Sequence, residues 1–221
     1  MRVVVSPDSF GGTLSALEAA HAIRDGWLQT CPADEVVCLP ISDGGPGFVD
    51  VVVQALDATR VPVVVNDPLG RQVPAEFAIK DDQAWIESAQ ACGLHLLTAE
   101  ERRADVTSSY GLGQLILSAI NEGATHITVG IGGTATNDGG AGMLAALGAT
   151  STPDVLTQGG LALRQVESVE LDAVYNLLEG ITLEIATDVD NPFLGARGAT
   201  ATYAKQKGAD EDMVMRLEVA M

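Results

Sequence analysis

The sequence predicts an α/β protein whose first part carries a parallel sheet and whose second part carries a mixed one. Three observations lead there. The chain opens on a strand-like run, an amphipathic helical stretch and a second strand-like run, the β-α-β order that makes strands parallel. Over residues 125–148, THITVGIGGTATNDGGAGMLAALG, a strand, a glycine-rich turn and a helix follow one another directly. Between the two, residues 72–79 and 83–88 flank the turn Lys80-Asp81-Asp82 as a hairpin, which a purely β-α-β chain would not contain.

Taken in order, residues 2–6 hold Val3, Val4 and Val5 without alternation, as a parallel strand covered on both faces would. Pro7-Asp8-Ser9-Phe10-Gly11-Gly12 turns the chain. Ser15 with Glu18 forms a capping box. Ala16, Leu17, Ala20, Ile23, Trp27 and Leu28 then give one apolar helix face, which Pro32 ends. Residues 35–39 are the next strand, 48–56 a helix and 60–65 a strand, and Asn66-Asp67-Pro68-Leu69-Gly70 has turn chemistry throughout. After the hairpin, residues 98–105 are a polar connection. Ser108 or Ser109 caps a helix running through Leu112, Leu115, Ile116 and Ala119 to Gly123.

Residues 125–131 form a buried strand, and Met143, Leu144 and Leu147 resume helical spacing up to Gly148, a left-handed cap. Residues 150–160 read as loop, 166–171 as a strand, 173–178 as a short helix and 181–187 as a strand. A helical stretch at 195–203 is followed by Lys205-Gln206-Lys207-Gly208. Asp210 then caps a final helix with Met213, Leu217, Ala220 and Met221 on one face. That apolar face ends without a cap, which leaves room for a second copy or a complementing chain.

Composition narrows the function. A formal charge of −18 argues against nucleic acid, because phosphate backbones are bound through excess Lys and Arg. It also requires that an anionic substrate be met by local cations, and lysine is scarce: Lys80, Lys205 and Lys207. Cys31, Cys38 and Cys92 are odd in number and lack metal-ligand spacing. With no signal peptide and no membrane-length apolar run, they point to a reducing, cytoplasmic setting with no membrane association.

Three places carry candidate chemistry. The glycine-rich turn, with Gly132, Gly133, Thr134, Thr136, Asn137, Asp138, Gly139 and Gly140, lets a backbone approach a ligand. It is expected to aim free amides of a helix start at an anion, most naturally phosphate. Asp-Gly-Gly-x-Gly occurs twice, at residues 43–47 and 138–142; neither copy is a Walker A loop or a dinucleotide fingerprint. The loops after the first two strands put Asp8, Ser9 and Asp43 in one crevice beyond the strand ends, either as ligand contacts or as caps and turn formers. If the last strand continues through Asp188-Val189-Asp190-Asn191-Pro192, Asp188 and Asp190 point to one side. There they hold Mg²⁺, or one accepts a proton while the other orients it; the plainer alternative is an Asx-Pro turn with two solvated acids. Glu87 either faces a ligand or is an edge-strand carboxylate.

Together these motifs resemble the bacterial glycerate kinases of the GarK type. The matching segments are Pro7-Asp8-Ser9-Phe10, Ile41-Ser42-Asp43-Gly44-Gly45, Thr107-Ser108-Ser109-Tyr110-Gly111, the run from Gly132 to Gly142, Asp188-Val189-Asp190-Asn191-Pro192 and Gln206-Lys207-Gly208-Ala209. They span the whole chain in order. The resemblance implies two α/β domains facing a cleft, the first a doubly wound parallel sheet, discontinuous in the family, and the second an inserted mixed-sheet domain. On this chain that gives 1–66 for the first, 67–204 for the second, and 205–221 as the start of a return to the first, whose C-terminal complement is expected to be absent. It implies ATP-dependent phosphorylation of D-glycerate to 2-phosphoglycerate or 3-phosphoglycerate, with Mg²⁺. Phosphates would lie on the Gly132–Gly142 loop, and glycerate near Asp8, Ser9, Asp43, Gly44 and Gly45. Asp190, Asp188 and Lys207 would do the chemistry, with Asp190 the favoured base. Gly11 stands where the family usually has Lys, and Pro46 where it has Glu. These departures, with the early end, leave a non-catalytic relative that binds a small acid or nucleotide as the alternative.

Overall fold

The computed structural model describes residues 1–221. In chain order the elements are β1 (Arg2–Val5), α1 (Ala16–Thr30), β2 (Glu35–Cys38), α2 (Phe48–Leu56), β3 (Thr59–Asn66), β4 (Gln72–Lys80), β5 (Gln83–Glu87), α3 (Ala89–Cys92) and α4 (Tyr110–Asn121). There follow β6 (His126–Gly130), α5 (Ala141–Ala146), β7 (Thr150–Thr152), β8 (Ser168–Glu170), α6 (Asp172–Leu177), β9 (Thr182–Ala186), α7 (Ala199–Tyr203) and α8 (Glu211–Ala220).

β1 and β2 pair in parallel around α1, as the opening β-α-β pattern requires. The capping box forms: Glu18 N–H donates to Ser15 Oγ at 3.2 Å and Ser15 N–H to the Glu18 carboxylate at 2.8 Å. Only Ala16, Ala19 and Ala20 of α1 are buried, whereas Ile23 and Trp27, expected on the buried face, stay 47% and 37% exposed. The reason is length. A fifteen-residue helix runs about 22 Å and overshoots four-residue strands of about 13 Å.

The larger sheet has the order β3-β4-β5-β6-β9, antiparallel from β3 to β5 and parallel from β5 to β9. β3, grouped with the first unit in the sequence reading, pairs over its whole length with β4, from Thr59 opposite Ile79 to Asn66 opposite Gln72. The Asn66–Gly70 turn is therefore a hairpin inside this sheet. Pleating sorts the side chains: Phe77, Ala84, Ile86, Ile127 and Val129 join Leu115, Ile116 and Ala119 of α4 in the main core. The cross-strand partners Ala78 and Trp85 face the other way, onto Val49 and Val52 of α2.

Two further differences concern the end of the chain. Residues 150–152, read as loop, pair with β8 in a separate two-stranded ladder. α8 packs on α7 and on the 3-10 turn Gly160–Gln165, with Leu217 buried against Ala104, Ala204 and Ala209, so residues 211–220 lie on the larger unit.

Because β5, β6 and β9 are parallel and in register, their last residues, Glu87, Gly130 and Ala186, lie in one row. The three following loops leave from the same edge, where open α/β sheets bind ligands.

Candidate functional site

The loop Ser42–Gly47 from the first unit seats on that row backbone to backbone. A Cβ on Gly44 would lie 2.8 Å from the Ala186 carbonyl oxygen, and one on Gly130 would lie 2.4 Å from the Gly44 carbonyl oxygen. Only glycines permit this approach, and Gly44 also takes a left-handed φ of 87°. Gly132 N–H donates to the Gly44 carbonyl at 3.2 Å. Glu87 fastens the contact: its carboxylate accepts from Gly47 N–H at 2.9 Å, at the start of α2. Glu87 is buried at the end of an interior strand, so it is neither an edge carboxylate nor a ligand contact. Burial raises its pKa to about 6 against the opposing pull of the amides at Gly47, Val49 and Phe48.

The glycine-rich loop is held from several sides. The Gly133 carbonyl accepts from Leu94 N–H, Ala135 N–H donates to the Cys92 carbonyl, and Thr107 Oγ1 donates to the Ala135 carbonyl. The amides at the start of α5, expected to be free for an anion, are already taken. Asp138 is buried, and its carboxylate accepts from Gly140 and Gly142 N–H at 3.2 Å and from Ser109 N–H and Oγ at 2.8 Å. Ser109 Oγ in turn accepts from Met143 N–H at 2.9 Å. Asp138 and Ser109 thus cap two helices at once, a role that displaces the simple cap expected of Ser109. Earlier in the loop the amides of Gly133 and Thr134 have no protein acceptor, and neither do those of Thr136, Asn137, Asp138 and Gly139.

Gly133 and Thr134 face a cavity of about 360 Å³ that also gathers Asp43, Gly132, Asp188, Gln206 and Lys207. The arrangement unites the first unit's loop, the glycine-rich loop, the Asp188 loop and the lysine segment. Gly45 N–H donates to Asp43 Oδ1 at 2.8 Å, while Asp43 Oδ2 has no protein partner. Lys207 is 9% exposed, and its ammonium donates to the Thr136 carbonyl at 2.5 Å and to Thr134 Oγ1 at 3.3 Å. Desolvation lowers its pKa to about 8, with the Asp138 charge pulling the other way. The adjoining Gly208 holds φ at 93°, and a Cβ there would strike the Arg102 carbonyl, so the lysine turn is fixed.

The expected pairing of Asp188 with Asp190 does not form. β9 ends at Ala186, so strand alternation does not reach these residues; Asp188 lines the cavity and Asp190 sits exposed outside it. Asn191 holds this loop through Tyr203, whose hydroxyl donates to Asn191 Oδ1 at 2.6 Å. Asp8 and Ser9 follow β1 near the same end, with Ile41 N–H on the Pro7 carbonyl, but they do not line the cavity. Asn137 ties the loop to α7 through Thr200 Oγ1. Gly139 and Gly140 line a second cavity of about 420 Å³, which shares Ile131, Thr134, Ala199, Tyr203 and Lys207 with the first. Gly11 lies in an exposed turn with open space around it, and Pro46 packs its ring 3.0 Å from a Cβ position on Gly133. Nothing in the sequence marks Tyr203 as a partner of the Asp188 loop, and Asn191 shows there only as part of the Asp188–Pro192 segment.

No group of three or more His, Cys, Asp or Glu side chains is gathered in the fold. The donors in the smaller cavity are two carboxylates, a set suited to Mg²⁺, which binds one or two protein carboxylates and completes its shell with phosphate oxygens and water. No helix is long and apolar enough to cross a membrane.

Glycine loops, a buried lysine and carboxylates thus gather beside parallel strand ends of an α/β fold. Residues 3–221 match the profile of the glycerate kinase family, and the chain belongs to that family. It is 43% identical over 219 residues to the glycerate kinase of Bacillus subtilis (strain 168), covering 97% of this chain and 57% of that protein. It is 40% identical over 223 residues to the glycerate 2-kinase of Escherichia coli (strain K12), covering 99% of this chain and 58% of that one. A crystal structure assigned as glycerate kinase 2 from Salmonella typhimurium LT2 superposes with a TM-score of 0.86 at 41% identity, over all of this chain and 60% of that one. The chain thus spans somewhat under two thirds of these relatives' length.

Proposed function

We propose that the chain phosphorylates D-glycerate to 2-phosphoglycerate with ATP and Mg²⁺. The observation that carries this reading is the 360 Å³ cavity, where Lys207, Asp43, Asp188 and the unpaired amides of Gly133 and Thr134 come together from four loops. The names of the B. subtilis and E. coli relatives supply the acceptor, and the second of them the 2-position.

In this reading the Gly133 and Thr134 amides and the Lys207 ammonium take the γ-phosphate oxygens, neutralising charge that spreads in the transition state. Asp188 would hold Mg²⁺, which would supply neutralisation of the phosphate charge. Glycerate sits against Asp43, Gly44 and Gly45. Asp43 accepts the 2-hydroxyl proton on Oδ2, its Oδ1 being held by Gly45. The hydroxyl oxygen bonds to the γ-phosphorus and the bond to the ADP oxygen breaks. Asp43 replaces Asp190 as base because Asp190 lies outside the cavity. Phosphorus NMR of the chain incubated with ATP, Mg²⁺ and D-glycerate tests the reading. The expected new resonance is that of 2-phosphoglycerate; 3-phosphoglycerate would refute the assigned position, and no phosphoglycerate would refute the reaction.

A further inference from the structure

The loop that carries Asp43 has little hold on its own place. Gly44, Gly45 and Gly47 leave residues 42–47 few side chains to pack, and the bonds within the loop are local. Gly44 N–H donates to Ser42 Oγ at 3.1 Å and Gly45 N–H to Asp43 Oδ1 at 2.8 Å. Helix α2, which follows at once, has no cap of its own, since Gly47 at the cap position carries no side chain. The cap comes from forty residues away. Glu87, 4% exposed at the end of β5, reaches across the units, and its Oε2 accepts from Gly47 N–H at 2.9 Å. It is the one side chain from the larger sheet that hydrogen-bonds this loop. The remaining bond to that sheet's loops runs backbone to backbone, from Gly132 N–H to the Gly44 carbonyl.

We infer that Glu87 is a positioning residue for the phosphoryl transfer: by capping α2 from the larger sheet, it fixes the loop that presents Asp43 to the smaller cavity. The inference rests on the reading of Asp43 as the base. Two supports hold the loop on the row formed by Glu87, Gly130 and Ala186. The close approach at Gly44 sets the loop's distance from the strand ends, but one contact leaves the loop free to turn about it. The bond at Gly47 is the second support and removes that freedom. An anion at the start of α2 is held by the helix amides, while Asp50 in the first turn opposes it. Reach therefore matters more than charge. A carboxamide of the same length also accepts from an N–H, whereas a carboxylate one methylene shorter falls short of Gly47.

Four variants separate reach from charge and tie both to Asp43: Glu87→Gln, Glu87→Asp, Asp43→Asn, and Glu87→Asp combined with Asp43→Asn. The readouts are kcat and KM for D-glycerate and Mg-ATP, with amide hydrogen exchange of residues 42–47 measured on the ligand-free chain. Glu87→Gln should keep kcat within about fivefold, the gap between a charge-assisted and a neutral hydrogen bond. Glu87→Asp should lower kcat about a hundredfold, as a misplacement of about 1 Å does, with KM for Mg-ATP unchanged and exchange at 42–47 faster. On the Asp43→Asn background the same change should cost little more, because the two residues act as one unit. A larger loss in Glu87→Gln than in Glu87→Asp, or an equal loss from Glu87→Asp with and without Asp43→Asn, would overturn the positioning role. Unchanged exchange at 42–47 in Glu87→Asp would overturn it even on a chain without turnover. Unchanged turnover in Asp43→Asn alone would instead overturn the reading of Asp43 as base.

Discussion

Lys207 is the group whose charge the proposed phosphate binding depends on most, and its burial makes that charge titratable near neutral pH. Moving its pKa from 10.5 to about 8 corresponds to roughly 3 kcal/mol of preference for the neutral amine in the fold. Because the folded-state value is the lower one, the unfolded chain binds more protons between pH 8 and 10.5. Ligand-free stability therefore rises across that window and is insensitive to this group below it. Phosphate binding needs the opposite form. An amine titrating near 8 is about nine-tenths charged at pH 7 and one-tenth at pH 9, so tripolyphosphate affinity should drop about tenfold between them. Isothermal titration at pH 7, 8 and 9 measures this, with Lys207→Met as the control for the ligand's own ionisation. Thermal melts without ligand should move the other way over pH 8–10. A wild-type affinity profile parallel to that of Lys207→Met would refute the role given to the amine.

Other outcomes follow from the same contacts. Glu87 titrates near 6 in the fold, so stability should fall as pH rises from about 4.5 to 6, by roughly 2 kcal/mol at most. Glu87→Gln should remove that slope in urea melts. Gly130→Ala puts a methyl 2.4 Å from the Gly44 carbonyl oxygen and should cost about 1–3 kcal/mol, seen as a lower melting temperature and a detached Ser42–Gly47 loop in hydrogen exchange. Asp43→Asn should lower turnover by two or more powers of ten, in the range general-base catalysis contributes, while Asp190→Asn keeps it within a few-fold. The reverse ranking would restore the strand-end pair as the catalytic one.

Most of the fold was legible because its signals are local. The Ser15–Glu18 capping box, the hairpin at Lys80-Asp81-Asp82 and the left-handed Gly148 each depend on a few adjacent residues, and each is present. The site was only half legible. Gly132, Gly133, Thr134, Asp43, Asp188 and Lys207 do meet, since strand ends and glycine loops show in sequence. What could not be read was who occupies the amides. Asp138 looks like a ligand contact by motif, yet its partner Ser109 is twenty-nine residues away and only tertiary packing brings them together. Asp188 and Asp190 share a side only if the strand continues past Ala186, and the backbone leaves the sheet there. The role of Glu87 is not legible in sequence because its partner amide at Gly47 is forty residues away.

The most direct test is ADP release from Mg-ATP, followed with and without D-glycerate on this chain and on Lys207→Met. Release should saturate with D-glycerate and fall at least a hundredfold in the variant. Release that ignores D-glycerate, or that persists in Lys207→Met, would contradict the proposed function.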